Sequence, residues 1–312
     1  MKVVAILPAF LDLENIKKSV DQIMPGIEIV TDTDFEKNDA DVVVITTFTP
    51  FGKNEMDKFP ELKFIQVAST GYNNVDIKEV RRRNILLCNV PVANKDAVAE
   101  HAIGAALALL KNFIPFHMEI KSGTWPLLTN SRELQGKTFG IIGMGAIGIK
   151  LTQKLIPFNV GIVYYDPVRL PEKDEEFYGL TYLSLDELIR VSDIISVHTP
   201  LTRSTRMMFN DARFGMMKDN AIFINTSRGE IVDEKALVKA IKEKNIYAAI
   251  DVFSIEPPDF SSELFHLDNV LFSPHIAGVT MESQERFITE TIGNVIRYSQ
   301  GIEPLYRVED EL

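Results

Sequence analysis

The chain has 312 residues, 46% hydrophobic and 25% charged, which is enough apolar material for two domains of ordinary size and too much for a disordered protein. A formal net charge of −11 and a pI near 5.1 argue against nucleic acid or an anionic membrane surface as a partner, while leaving room for a local basic pocket that holds a small anion. Cys88 is the single cysteine, so neither an intrachain disulfide nor a multi-cysteine metal site is available, as expected of a reducing cytoplasm.

The apolar opening, residues 3–11, contains Pro8 and lacks a small-residue cleavage pattern, so it reads as a first buried strand running into a loop. The best apolar run, 102–110, lies between His101 and Lys111 and is too short to span a membrane. Candidate strands at 3–7, 28–31, 42–47, 64–68 and 86–90 alternate with helical stretches at 13–23 and 77–82, the rhythm of a small parallel α/β domain. Ser69-Thr70-Gly71-Tyr72-Asn73-Asn74, after the fourth strand, is either a loop that offers backbone N–H groups to a carboxylate or a plain turn. Residues 95–112 predict a long, Ala-rich, mostly apolar helix, suited to a crossing between domains or to a subunit interface. The following arm, 122–135, is polar and irregular around Trp125 and Pro126.

Residues 138–142 form a short apolar run, Gly143-Met144-Gly145-Ala146-Ile147-Gly148 is a full G-x-G-x-x-G, and 149–155 continues with helical spacing. Strand, tight glycine turn and helix in that order make a phosphate-binding unit, with the helix N-terminus offering unpaired N–H groups. A second strand, 160–165, ends in Asp166, which follows Gly148 by 18 residues (166 − 148), about the separation expected of a carboxylate that holds a ribose 2′-hydroxyl. Further strands at 193–199, 221–226, 247–252 and 270–273 bring the second sheet to six, and 281–298 has helical spacing.

Open α/β sheets bind ligands beyond the carboxyl ends of their strands. The polar residues there are Asp166, His198-Thr199-Pro200, Ser227-Arg228-Gly229, Asp251 and Pro274-His275. A guanidinium after a buried strand is a ready bidentate partner for a carboxylate, and equally a structural salt-bridge donor. An imidazole near neutral pH can exchange a proton with a substrate oxygen, and Glu256 would favour its charged form if the two met.

Taken together, ASTGYNNVDI (68–77), VAEHAIGAAL (98–107), ELQGKTFGIIGMGAIG (133–148), YYDP (164–167), HTPLT (198–202), NTSRGEIVDEKAL (225–237), AIDVFSIEPP (249–258) and SPHIAG (273–278) span nearly the whole chain. In this order they resemble the D-isomer-specific 2-hydroxyacid dehydrogenase family. The resemblance implies two doubly wound parallel-sheet α/β domains: a Rossmann NAD-binding domain (96–283) inserted into a flavodoxin-like substrate domain made of both chain ends (1–95 plus 284–312). It implies interconversion of a D-2-hydroxy acid and its 2-oxo acid by hydride transfer.

By the same resemblance Arg228 would clamp the substrate carboxylate, His275 would be the acid/base, Glu256 would hold and tune it, and Ser69, Thr70 and Gly71 would add carboxylate contacts. Cofactor contacts would come from Val98, Gly143, Gly145, Ala146, Ile147, Gly148, Asp166, His198, Thr199, Pro200, Thr226, Ser227, Asp251 and Gly278. Asp166, where an NADP enzyme would favour a basic residue, points to NAD, with Arg169 as the feature that would soften the preference. No metal is implied. The family usually forms homodimers through the cofactor domain, and members active on formate carry Gln where Glu256 stands. Two alternatives stay open: D-3-phosphoglycerate dehydrogenase activity in particular, and a dinucleotide-sensing interaction protein of the corepressor kind.

Overall fold

The computed structural model describes residues 1–127 and 130–308; Leu128 and Thr129 of the irregular arm and residues 309–312 lie outside the described residues. The chain divides into two compact units, Met1–Asn94 with Thr280–Leu312, and Lys95–Val279.

The first unit carries a parallel sheet of β1 (Val3–Ile6), β2 (Glu28–Val30), β3 (Val42–Ile45), β4 (Phe64–Val67) and β5 (Leu86–Cys88), in the order β2-β1-β3-β4-β5. That order is the flavodoxin-like winding. Every residue of β1, β3 and β4 is buried, which is why these strands read as continuous apolar runs without alternation. Of helices α1 (Leu13–Ile23), α2 (Lys53–Met56) and α3 (Ile77–Arg82), the first and third start on Asp12 and Asp76, whose side chains accept from Asn15 N and Glu79 N. The C-terminal helix Met281–Ser299 returns to this unit behind a capping box of Thr280 and Ser283. Its Asn294 donates to Gln66 Oε1 on β4 (2.9 Å) and accepts from Leu305 N (2.8 Å), so a buried polar pair fixes the helix on the sheet.

The second unit opens with α4 (Lys95–Leu110) and α5 (Phe113–Lys121) and then alternates strand and helix: β6 (Thr138–Ile142), α6 (Ala146–Leu155), β7 (Gly161–Tyr165), α7 (Glu172–Tyr178), β8 (Leu180–Tyr182), α8 (Leu185–Val191), β9 (Ile194–Val197), α9 (Asp211–Met216), β10 (Ile222–Asn225), α10 (Glu234–Lys244), β11 (Tyr247–Ile250) and β12 (Val270–Phe272). The sheet is parallel and runs β12-β11-β10-β9-β6-β7-β8, with β6 and β9 adjacent at the point where the winding reverses. It therefore has seven strands, one more than the six expected from the apolar runs. The missed strand, β8, is three residues long with only Leu180 buried, too short and too exposed at the sheet edge to leave a periodic signal. Apart from β6 and β7, which end where expected, the observed strands stop one or two residues short of the expected ends, because the residues there already turn into the loops.

Cores form on both faces of this sheet. One gathers Phe209, Phe214, Phe223, Leu237 and Ile241; the other gathers Phe139, Leu151, Leu155 and Tyr164 beneath Ala102 and Ala106 of α4. Truncating one of the fully buried rings, such as Phe223→Ala, costs about 3–5 kcal/mol. Alanines on α4 let it approach α6 closely, and Lys154 adds an ion pair with Glu100 at 2.7 Å. The apolar face of α4 is thus spent on its own unit's core, and the exposed apolar residues lie further on: α5 has no buried residue.

Candidate active site

The carboxyl ends of β6, β7, β9, β10, β11 and β12 carry the candidate residues. At β6 the chain turns through Gly143 with φ +96°, and a Cβ there would lie 2.7 Å from His198 C and 2.8 Å from His198 O. A Cβ on Gly148 would strike the carbonyl oxygen of Gly143, so the third glycine lets α6 press against the turn. Gly145 differs: a Cβ there would meet no heavy atom within 4 Å. Gly145 caps α6 without a side-chain hydrogen bond, leaving the first-turn N–H groups, those of Ala146 and Ile147 included, to an anion.

Asp166, just past β7, accepts from Met144 N (2.8 Å) and Val168 N (2.9 Å), which fixes the carboxylate against the glycine turn. At β9, His198 shares 2.8 Å with Ser196 Oγ through Nε2, while its buried Nδ1 has no hydrogen-bond partner among the described residues. Burial pushes its imidazole down to about 4, so it is neutral at pH 7. Thr199 is buried and donates to Pro200 O at 3.1 Å. Thr226 Oγ1, at the end of β10, is a second buried polar atom without a partner among the described residues. A cradle clear of side chains at Gly145, free helix N–H groups and two orphaned polar atoms on the same sheet edge suit a dinucleotide. Val98 lies on α4 and is buried, at 3% exposure.

The loop after β10 is shaped by Asn225, whose side chain accepts from Ser227 N (3.0 Å) and donates to Arg228 O (3.0 Å), while Ser227 Oγ donates to Thr199 O. Asn225 was missed as a site residue in the sequence; its signal was a buried amide closing an otherwise apolar strand. Arg228 is half-buried and donates to Ser227 O at 2.7 Å. Burial pushes its guanidinium down from the ordinary range, and the carboxylates of Glu230 and Glu256 oppose that shift. The next residue explains the proximity, since a Cβ on Gly229 would overlap the backbone of Phe253 and Ser254, the strand exit that leads to Glu256.

Glu256 accepts from Phe253 N at 3.0 Å, and its other oxygen lies 2.7 Å from His275 Nδ1. His275 has φ +56°, a left-handed conformation that a non-glycine residue holds only under constraint. The constraint is Asp251. Its main-chain carbonyl accepts from His275 N (2.7 Å), and its carboxylate, 1% exposed, accepts from Ile276 N and Ala277 N (2.9 Å each) and from Ser273 Oγ (2.5 Å). The carboxylate given to the cofactor on sequence grounds is therefore engaged by the loop that presents His275. Gly278 closes that turn.

Ser69, Thr70 and Gly71 belong to the other unit, beyond β4. There Ser69 O accepts from Val90 N (3.0 Å), and the Thr70 hydroxyl is within hydrogen-bond distance of Asn94 Oδ1 (3.0 Å), so the loop is tied to the strand exit of β5.

Residues 103–277 match the family described as D-isomer specific 2-hydroxyacid dehydrogenase, NAD binding domain. The chain is similar to a glyoxylate reductase of Thermococcus litoralis, 38% identical over 84% of this chain and 82% of that one. It is also similar to a hydroxypyruvate reductase of Thermotoga maritima, 36% identical over 83% and 85%. Among solved structures, a D-lactate dehydrogenase of Aquifex aeolicus complexed with NAD and lactic acid superposes with TM-score 0.83, at 28% identity and 96% coverage of both chains. The chain belongs to the D-isomer-specific 2-hydroxyacid dehydrogenase family. It is an oxidoreductase of the CH–OH group that works with a nicotinamide dinucleotide. Among the described residues no single helix is long and apolar enough to cross a membrane.

Proposed function

We propose that this enzyme reduces small 2-oxo acids to D-2-hydroxy acids with NADH, and that Arg228, Glu256 and His275 carry the reaction. The observation that carries the reading is Glu256, whose carboxylate touches His275 and whose charge acts on Arg228. Arg228 clamps the substrate carboxylate and polarises the neighbouring carbonyl. Glu256 holds the Nδ1 side of His275, which leaves Nε2 to donate a proton to the carbonyl oxygen. A bound nicotinamide supplies the hydride to the carbonyl carbon, and with the proton from His275 this completes the hydroxyl.

Asp166 supports NAD over NADP, because a carboxylate against the glycine turn accepts from a ribose 2′-hydroxyl and repels a 2′-phosphate. The relatives named for glyoxylate and hydroxypyruvate support a substrate with little beyond its 2-oxo acid group. For Ser69, Thr70 and Gly71 the proposed carboxylate contact rests on the sequence resemblance. A homodimer formed through the second unit is supported by the exposed apolar residues of α5, and a cytoplasmic setting by the single cysteine.

The test is NADH oxidation with glyoxylate, hydroxypyruvate, 3-phosphohydroxypyruvate, pyruvate and larger 2-oxo acids. Glyoxylate and hydroxypyruvate are expected to give the highest kcat/KM, and Arg228→Ala to lower it by roughly 10²–10⁴, through a raised KM and a reduced kcat, since each charge-assisted bond contributes about 1.5–3 kcal/mol. Absence of turnover with every member of the panel would remove the reading.

A further inference from the structure

Three residues past Asp166 stands a cation beside the place where an NADP enzyme would put one. Arg169 donates through Nε to Glu175 Oε1 (2.9 Å) and through Nη2 to Glu175 Oε2 (2.7 Å), a two-pronged pair. Its guanidinium lies 5.3 Å from the centroid of the Tyr182 ring, and the hydroxyl of that tyrosine lies 3.5 Å from the carbonyl of Asp166. A single aromatic ring therefore touches both the arginine and the residue assigned to the ribose.

Glu175 is itself held in place. It is 7% exposed on the inner side of α7, and the Tyr164 hydroxyl donates to its Oε1 at 2.6 Å. The Tyr164 oxygen in turn accepts from Leu170 N at 2.9 Å, which ties the loop carrying Arg169 to the strand below. The Arg169 guanidinium and the Tyr164 hydroxyl hold the Glu175 carboxyl down to about 2, so it is ionised at every working pH. The first turn of α7 adds Glu172 and Asp174 to the same acidic segment. Arg169 is thus the cation nearest in sequence to the ribose carboxylate, and its charge is already matched by a fixed partner.

We propose that Glu175 is a specificity-determining residue: by locking Arg169 into a bidentate pair, it keeps the guanidinium from serving a 2′-phosphate and so enforces selection of NAD. The inference rests on the assignment of Asp166 to the adenosine ribose. It adds a second element to that selection, since a repelling carboxylate and a withheld arginine act against the same phosphate.

Calorimetric dissociation constants for NAD⁺ and NADP⁺, with thermal melting to confirm folding, give the test. Glu175→Gln releases the guanidinium, and the ratio Kd(NADP⁺)/Kd(NAD⁺) is expected to fall by about tenfold or more, the scale of one charge-assisted bond. Adding Arg169→Gln to that variant is expected to restore the parent ratio. An unchanged ratio in folded Glu175→Gln, or a gain that survives loss of the arginine, would overturn the proposal. Arg169→Gln alone keeps the question open to decision if Glu175→Gln does not fold. A matched arginine predicts an unchanged ratio, whereas a rise in the ratio would mean that Arg169 already serves the phosphate and would refute the lock. The assignment of Asp166 fails separately, if the unaltered enzyme binds NADP⁺ more tightly than NAD⁺.

Discussion

His275 Nδ1 lies 2.7 Å from Glu256 Oε2 across 19 residues of chain, and both side chains are partly exposed. An imidazole held at Nδ1 by a carboxylate is fixed in orientation and has Nε2 as its remaining nitrogen for proton exchange. Glu256→Gln keeps a hydrogen-bonding group there and removes the charge. Reduction of a 2-oxo acid is then expected to slow by roughly 10²-fold in kcat, the scale of a general-acid contribution, with KM for NADH within about twofold of the parent. Steady-state kinetics measure both, and an unchanged kcat would detach Glu256 from the proton transfer.

Two glycines of one motif should respond in opposite ways. Gly143→Ala places a Cβ within 3 Å of the His198 and Thr199 backbone at a positive φ, so it is expected to lower stability by several kcal/mol, as strain in a close-packed site does. Gly145→Ala meets no protein atom within 4 Å and is expected to melt within a few degrees of the parent, yet to raise KM for NADH by about tenfold or more. Thermal melting paired with cofactor titration separates the two effects.

Acid sensitivity should trace in part to His198. Burial holds its imidazole down to about 4, whereas the unfolded chain takes up the proton near the ordinary 6.5. The neutral ring therefore contributes its full stability above about 6.5, and the contribution is lost as pH falls from there towards 4. Denaturant unfolding across that window is expected to show a steeper acid decline for the parent than for His198→Asn, by up to about 1.4 kcal/mol per pH unit. Parallel curves would mean that the ring titrates alike in both states.

The exposed apolar side of α5 predicts self-association. Ile114 and Met118 are 52% and 58% exposed, and Trp125 and Leu127 beyond the helix are 77% and 88% exposed. Ile114→Glu with Met118→Glu is expected to turn a dimer into a monomer in analytical ultracentrifugation, with the melting temperature lowered by the loss of the partner. A dimer that persists in the double variant would place the interface elsewhere.

What the sequence determined by itself was what neighbouring residues decide. Fully apolar strands such as Val42–Ile45, the caps that start helices at Asp12 and Thr280, and the glycine turn after Thr138–Ile142 are local physics, set by burial, hydrogen bonding and steric allowance over a few residues. The motif order was enough to imply the family and to nominate Arg228, Glu256 and His275. Only the tertiary structure decided which partners those residues meet. Asp251, assigned to the cofactor by resemblance, also accepts from Ile276 and Ala277; Arg169, the feature that would soften the NAD preference, is matched by Glu175; the edge strand Leu180–Tyr182 left no pattern to read. In each case the deciding contact crosses a loop or a sheet edge, and its energy depends on where the fold delivers a distant carboxylate or backbone N–H, which chain spacing does not encode.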